Sequence, residues 1–274
     1  MTYLTHTSPI TLSTLAKYKK QGEKFSCLTC YDASFAYLME QAGIDVILVG
    51  DSLGMVVQGQ ASTLPVTVAD MVYHTANVAR ANRHALIMTD LPFMSYVMPQ
   101  DAITSAKVVM QAGANMVKME GGSELAPIVS TLVISGVPVC VHLGLTPQSV
   151  NVLGGYKVQG KTDAQADKLM SDCENLVRAG ASMIVLECVP SSLAKAVTER
   201  VAVPVIGIGA GMDTDGQVLV MHDMLGVYTQ KPAKFVKNFL ADDTNERGDI
   251  LGAFVGFHQA VKNKTFPSDE HTFH

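Results

Sequence analysis

The chain has 274 residues, 48% hydrophobic and 16% charged, which is enough to bury a large core and too apolar for a disordered or fibrous protein. Its 20 Lys and Arg against 25 Asp and Glu give a formal charge of -5, which offers no electrostatic footprint for nucleic acid or anionic lipid. No apolar run approaches the roughly 20 residues that span a bilayer, and residues 1–24 are polar without a signal-peptide core, so a cytoplasmic protein is expected.

Short runs of Val, Ile, Leu and Met alternate with longer segments of helical period, the pattern of parallel strands covered by helices. The first run, Ser26 to Cys30, contains the pair Cys27 and Cys30. With no second CxxC or His pair to close a zinc site, and with five cysteines mostly in apolar runs, reduced thiols are expected. Asp32 then reads as an N-cap, with Phe35, Leu38, Met39 and Ala42 on one helix face and Gly43 as the stop. The strand Val46 to Gly50 follows almost at once.

A weak repeat extends the pattern. Ala42-Gly43-Ile44-Asp45-Val46, Ala112-Gly113-Ala114-Asn115-Met116 and Ala179-Gly180-Ala181-Ser182-Met183 each join a helix end through a glycine turn to a strand that finishes near an acid. The copies lie about 70 residues apart, two βα units each. Strand ends near Cys30, Asp51, Asp90, Glu120, His142, Glu187, Gly209 and His222 give eight strands at about 34 residues per unit, so the expected fold is α/β, a single-domain (β/α)8 TIM barrel over 1–274. The doubly wound open sheet is the alternative. The short interval before His222 predicts an abbreviated crossover, and the long ones after Asp51 and His142 predict extended loops at the C-terminal face. Gly207-Ile208-Gly209-Ala210-Gly211 lacks dinucleotide spacing and reads as a tight turn. A short N-terminal extension and a polar tail from Lys262, with His271 and His274 solvated, complete the chain.

Asp51, Asp90 and Glu120 end the second, third and fourth predicted strands, so neighbouring staves would aim three carboxylates at one space. Two carboxylates about 5 Å apart repel by roughly 3 kcal/mol at an effective dielectric near 20, so the cluster needs a proton or a cation. Oxygen-only ligands favour magnesium. The alternative is that Asp51 and Asp90 cap helices. Asp51 sits one position out of phase with Glu120 relative to the repeat glycine, which leaves Glu120 open to binding the metal directly or holding its water. Lys118 faces the same way as Glu120 and needs an anion, either a rim carboxylate or a substrate carboxylate. His142 ends the fifth strand. Glu187 ends the sixth in an apolar run, where poor solvation raises a carboxyl pKa and suits it to proton transfer.

In order and spacing, Val49-Gly50-Asp51-Ser52-Leu53-Gly54-Met55, Thr89-Asp90-Leu91-Pro92-Phe93, Lys118-Met119-Glu120-Gly121-Gly122, Val141-His142-Leu143-Gly144-Leu145-Thr146-Pro147-Gln148 and Gly207-Ile208-Gly209-Ala210-Gly211 closely resemble the ketopantoate hydroxymethyltransferase family. The resemblance runs from about Leu12 to Phe266 and implies a barrel of the phosphoenolpyruvate mutase and isocitrate lyase superfamily. It also implies transfer of a one-carbon unit from 5,10-methylenetetrahydrofolate to 3-methyl-2-oxobutanoate through a Mg2+-stabilised enolate, and assembly as a homodecamer. By the same resemblance Asp51, Asp90 and Glu120 match the metal site, Ser52, Lys118 and His142 hold the oxo acid together with the two aspartates, and Glu187 is the base. A lyase or mutase of that superfamily, a Schiff-base aldolase using Lys118, and a non-enzymatic barrel are the rivals. The pterin pocket is not legible, since Tyr31, Phe93 and Tyr96 read equally as packing.

Overall fold

The computed structural model describes residues 8–228 and 231–274; the first seven residues of the expected N-terminal extension lie outside it. Eight parallel strands close in sequence order: β1 (Phe25–Thr29), β2 (Val46–Val49), β3 (Leu86–Asp90), β4 (Met116–Glu120), β5 (Val139–Gly144), β6 (Met183–Glu187), β7 (Val205–Ile208) and β8 (Gly216–Leu219), with β8 pairing back onto β1. This is the (β/α)8 barrel, not the open sheet. The helices of the described residues are α1 (Leu12–Gln21), α2 (Ala33–Ala42), α3 (Leu53–Val56), α4 (Val68–Ala81), α5 (Pro99–Gln111), α6 (Ala126–Ile134), α7 (Val150–Leu153), α8 (Asp163–Arg178), α9 (Ser191–Arg200), α10 (Met221–Met224) and α11 (Ile250–Lys262).

The strands are apolar on both faces because helices cover the outside and side chains fill the inside. Phe25, Leu48, Met88, Met116, Met183 and Ile206 belong to the cluster inside the barrel. Size is matched across strands: Phe25 stands beside Gly216 in register, and a Cβ on Gly216 would lie 2.6 Å from the Phe25 ring. Below this layer α1 closes the N-terminal mouth, with Leu15 fully buried in the same cluster and Lys19 paired to Asp215 at 2.7 Å. Cys27 faces this interior while Cys30 faces the helix layer, so the CxxC pair points to opposite sides of one sheet.

Asp32 caps α2 through bonds from the Ser34 and Phe35 amides, and Gly43 ends it at φ 80, as the periodicity predicts. No helix joins β7 to β8. The eighth strand stops at Leu219 rather than near His222, because the Thr29 hydroxyl accepts the Met221 N–H at 2.9 Å and starts α10 there. The C-terminal segment is not the solvated tail expected from its composition. Phe266 and His271 are buried, with the Phe266 ring 5.4 Å from Phe239 and 6.0 Å from Phe257, and the Phe273 carbonyl accepts from Ser191. His274 is exposed, in line with the expectation. Among the described residues, no helix is long and apolar enough to cross a membrane.

Candidate active site

Residues two apart on a strand face one way, so the phase that sends Met88, Met116, Cys140 and Val185 inward also sends Asp90, Lys118, Glu120, His142 and Glu187 to the top of the same interior. Register then sets neighbours. Asp90 stands opposite Lys118, Glu120 opposite His142, and Gly144 opposite Glu187. In this way β3 to β6 carry an arc of ionisable groups at the C-terminal rim.

Asp51 joins the arc differently. The inward phase on β2 falls on Gly50, but the strand has ended at Val49, and the turning chain brings the Asp51 N–H to Asp90 Oδ2 at 2.9 Å. This resolves the one-residue offset in the sequence. Neither aspartate caps a helix. Asp90 Oδ1 accepts from Lys118 at 2.5 Å, and Asp51 Oδ2 accepts from the Gln148 amide at 2.8 Å.

The electrostatics follow from burial and proximity. Burial pushes the Asp51 carboxyl well above its usual range, and the nearby Asp90 and Glu120 carboxylates push it further. Burial opposes charge on Lys118, but Asp90, Glu120 and Asp51 outweigh it and keep the ammonium protonated. Glu120 Oε1 takes His142 Nδ1 at 3.1 Å and lies 3.7 Å from Lys118, while Glu120 Oε2 takes the Gln148 backbone N–H at 2.9 Å. Burial would raise Glu120, yet His142, Lys118 and these bonds hold it below the usual carboxylate range. For His142, burial and Lys118 work against charge, but Glu120 and Glu187 win and lift its pKa to about 9. Its Nε2 lies 3.2 Å from Glu187 Oε2, near enough to pair though not aligned as a hydrogen bond. The Glu187 side chain is 15% exposed, the most open of the arc.

The donor set suits a hard cation. Asp51 is a buried carboxyl whose charge is opposed by two neighbouring carboxylates with Lys118 nearby, and a divalent ion would offset that repulsion. Among the described residues, no three Asp, Glu, His or Cys side chains already form a ligand set.

Ser52 lies beside Asp51 with its hydroxyl 2.9 Å from the Tyr31 hydroxyl, which donates to Thr29 at 2.8 Å. Tyr31 and Tyr96 are buried parts of this rim, whereas Phe93 is exposed. Gln148 and Tyr96 had no part in the site read from the sequence. Gln148 closes the motif that begins at Val141, which is the one signal that could have singled it out. The half-exposed Tyr156, on the loop after β5, reaches Met55 Sδ with its hydroxyl at 3.7 Å, and burial, followed by the charges of Glu187, Asp51 and Glu120, raises that hydroxyl's pKa.

A closed parallel barrel with acids, a lysine and a histidine gathered at its C-terminal rim defines an α/β-barrel enzyme of small-molecule chemistry. The chain belongs to the ketopantoate hydroxymethyltransferase family, whose model matches residues 9–269. It is 66% identical over 268 residues to the 3-methyl-2-oxobutanoate hydroxymethyltransferase of Psychrobacter sp. (strain PRwf-1), covering 96% of this chain and 99% of that one. To the enzyme of the same name from Acinetobacter baumannii (strain SDF) it is 60% identical, covering 96% and 98%. Among solved structures, phosphonopyruvate hydrolase in complex with oxalate and Mg2+ superposes with a TM-score of 0.60 at 12% identity, covering 76% of this chain and 80% of that one. A 2,3-dimethylmalate lyase of the phosphoenolpyruvate mutase and isocitrate lyase superfamily gives 0.56 at 16% identity, with the same coverage. These two share the fold.

Proposed function

We propose that this enzyme moves a one-carbon unit from 5,10-methylenetetrahydrofolate to C3 of 3-methyl-2-oxobutanoate, with water supplying the hydroxyl oxygen, and releases tetrahydrofolate and 2-dehydropantoate, a step of pantothenate biosynthesis. The observation that carries the reading is the arc Asp51, Asp90, Lys118, Glu120, His142 and Glu187, which brings a cation-seeking acid pair and a more open carboxylate to one rim. Relatives bearing the hydroxymethyltransferase name at 60–66% identity support the substrate.

In this reading Asp51 and Asp90 would hold Mg2+, with Glu120, engaged by His142 and Gln148, as the third acid of the site. A magnesium ion held there would supply Lewis acidity to the bound oxo acid. The phosphonopyruvate hydrolase of the same fold, solved with Mg2+ and oxalate, supports that choice of metal. Lys118 spends one of its three donors on Asp90 and keeps others for the substrate carboxylate, while Ser52 and His142 fix its orientation. Glu187 takes the C3 proton onto a carboxylate oxygen. Protonated His142, set between Glu120 and Glu187, lies 3.2 Å from Glu187 Oε2 and fixes where that carboxylate points. The family resemblance supports a cytoplasmic homodecamer.

Deuterium exchange at C3 of the oxo acid tests the assignment without the folate. Glu187→Gln abolishes exchange while leaving oxo-acid binding nearly intact; undiminished exchange removes Glu187 from the base role. Tetrahydrofolate-dependent formation of 2-dehydropantoate, lost with a chelator and restored by Mg2+, tests the rest.

A further inference from the structure

Five of the six arc residues are aimed by strand register, but Asp51 lies beyond the end of β2 and no sheet bond sets its direction. What holds its carboxylate is Gln148, a buried side chain on the loop after β5. The Gln148 Nε2 donates to Asp51 Oδ2 at 2.8 Å and to the Leu91 carbonyl at 3.0 Å. A backbone carbonyl cannot donate, so the nitrogen of the amide must face this side. Its oxygen accepts from the Tyr96 hydroxyl at 2.5 Å, and its backbone N–H donates to Glu120 Oε2 at 2.9 Å. Tyr96 is anchored in turn, since its hydroxyl accepts from the Glu120 N–H at 3.2 Å.

Every polar atom of the amide is used, and its bonds tie the chain after β2, at Asp51, to the loop after β3, at Leu91 and Tyr96. A neutral amide adds no charge to the cluster; what it can fix is direction. A Gln turned over would set its oxygen against the Asp51 carboxylate, and the Tyr96 hydroxyl prevents that by donating to the oxygen. We propose that Gln148, oriented by Tyr96, is the positioning residue that aims the Asp51 carboxylate at the divalent cation. This rests on the reading that Asp51 and Asp90 hold that cation.

The test is direct binding of Mn2+ alone to the full chain, read from the free-ion electron paramagnetic resonance signal, with circular dichroism reporting the fold of each variant. Asp51→Asn is the control for the site. Gln148→Met is expected to raise the Mn2+ dissociation constant about tenfold, the usual scale for a group that orients a metal ligand. Tyr96→Phe raises it by a smaller factor, and the double variant behaves as Gln148→Met alone because Tyr96 acts through Gln148. If Asp51→Asn loses the ion but the Gln148 and Tyr96 variants bind as the parent does, or more tightly, the positioning role is overturned and the site stands. If Asp51→Asn binds as the parent does, the metal reading itself fails. Should Gln148→Met not fold, Tyr96→Phe decides alone: weaker binding supports the proposal and unchanged binding overturns it.

Discussion

Asp90 and Lys118 stand opposite each other in the β3 and β4 register and meet at 2.5 Å with both side chains almost fully buried. Removing one partner of such a pair leaves an uncompensated buried charge, which costs about 3 to 5 kcal/mol. In Lys118→Met the carboxylate cluster loses its buried cation, and Asp51, whose pKa burial and its carboxylate neighbours already raise, loses the lysine that opposed that rise. The raised Asp51 pKa then penalises the fold as pH climbs above the ordinary carboxylate range and relieves it as pH falls. The loss in a urea titration is therefore about 3 kcal/mol near pH 8 and clearly smaller near pH 5. Equal losses at both pH values would mean that Lys118 contributes packing rather than charge.

The backbone beside Glu187 is as constrained as its side chain. Gly144 adopts φ +88, and a Cβ there would stand 2.3 Å from the Glu187 carbonyl oxygen, which accepts the Leu145 N–H at 2.8 Å. Gly144→Ala must move the last residue of β6 and adopt a left-handed backbone, at a cost of about 2 to 4 kcal/mol. The expected signature is a lower melting temperature together with C3 exchange reduced more than oxo-acid affinity. Parental exchange in a destabilised variant would show that the β6 end tolerates displacement.

Asp223 on α10 supplies a pH effect outside the arc. Burial alone lifts its pKa to about 6. A carboxyl raised above its unfolded value destabilises the native state once it must ionise, so the chain loses stability as pH rises from the unfolded pKa through about 6. Asp223→Asn removes that penalty. Thermal melts should show a gain of about 2 kcal/mol near pH 8 that vanishes near pH 4. A gain that persists at the acid end would trace to the helix and not to the charge.

Much of this arrangement was legible in the order of residues because it is local. Strand phase places Glu120 beside Lys118 and sends both inward, and the repeat glycines mark where each strand begins. The offset of Asp51 was visible as well, although its meaning was not, because that required knowing that β2 ends one residue before Gly50. Gln148 stayed hidden for a different reason. Its partners are Asp51 after β2, Leu91 and Tyr96 in the loop after β3, and Glu120 at the end of β4, and no spacing along the chain announces a contact made only when the barrel closes. The capping of α10 by Thr29 shifted the eighth strand end by the same kind of distant contact.

The C-terminal segment misleads by composition, since Lys262, Asn263, Lys264, Ser268, Asp269 and Glu270 surround the apolar residue that matters. Phe266 is 4% exposed, packed against Phe239, Phe257 and the His271 ring at 5.3 Å. Truncating a buried phenylalanine costs about 3 to 5 kcal/mol, so Phe266→Ala should lower the urea midpoint sharply. The neighbouring Glu270→Ala, with its side chain 79% exposed, should stay within about 0.5 kcal/mol of the parent. Burial also holds His271 below its usual pKa, so this anchor weakens as pH falls below the unfolded histidine value of about 6.5. A solvated tail would give two silent substitutions and no such acid loss; the packed segment gives one large effect, one small one and a melting temperature that declines on the acid side.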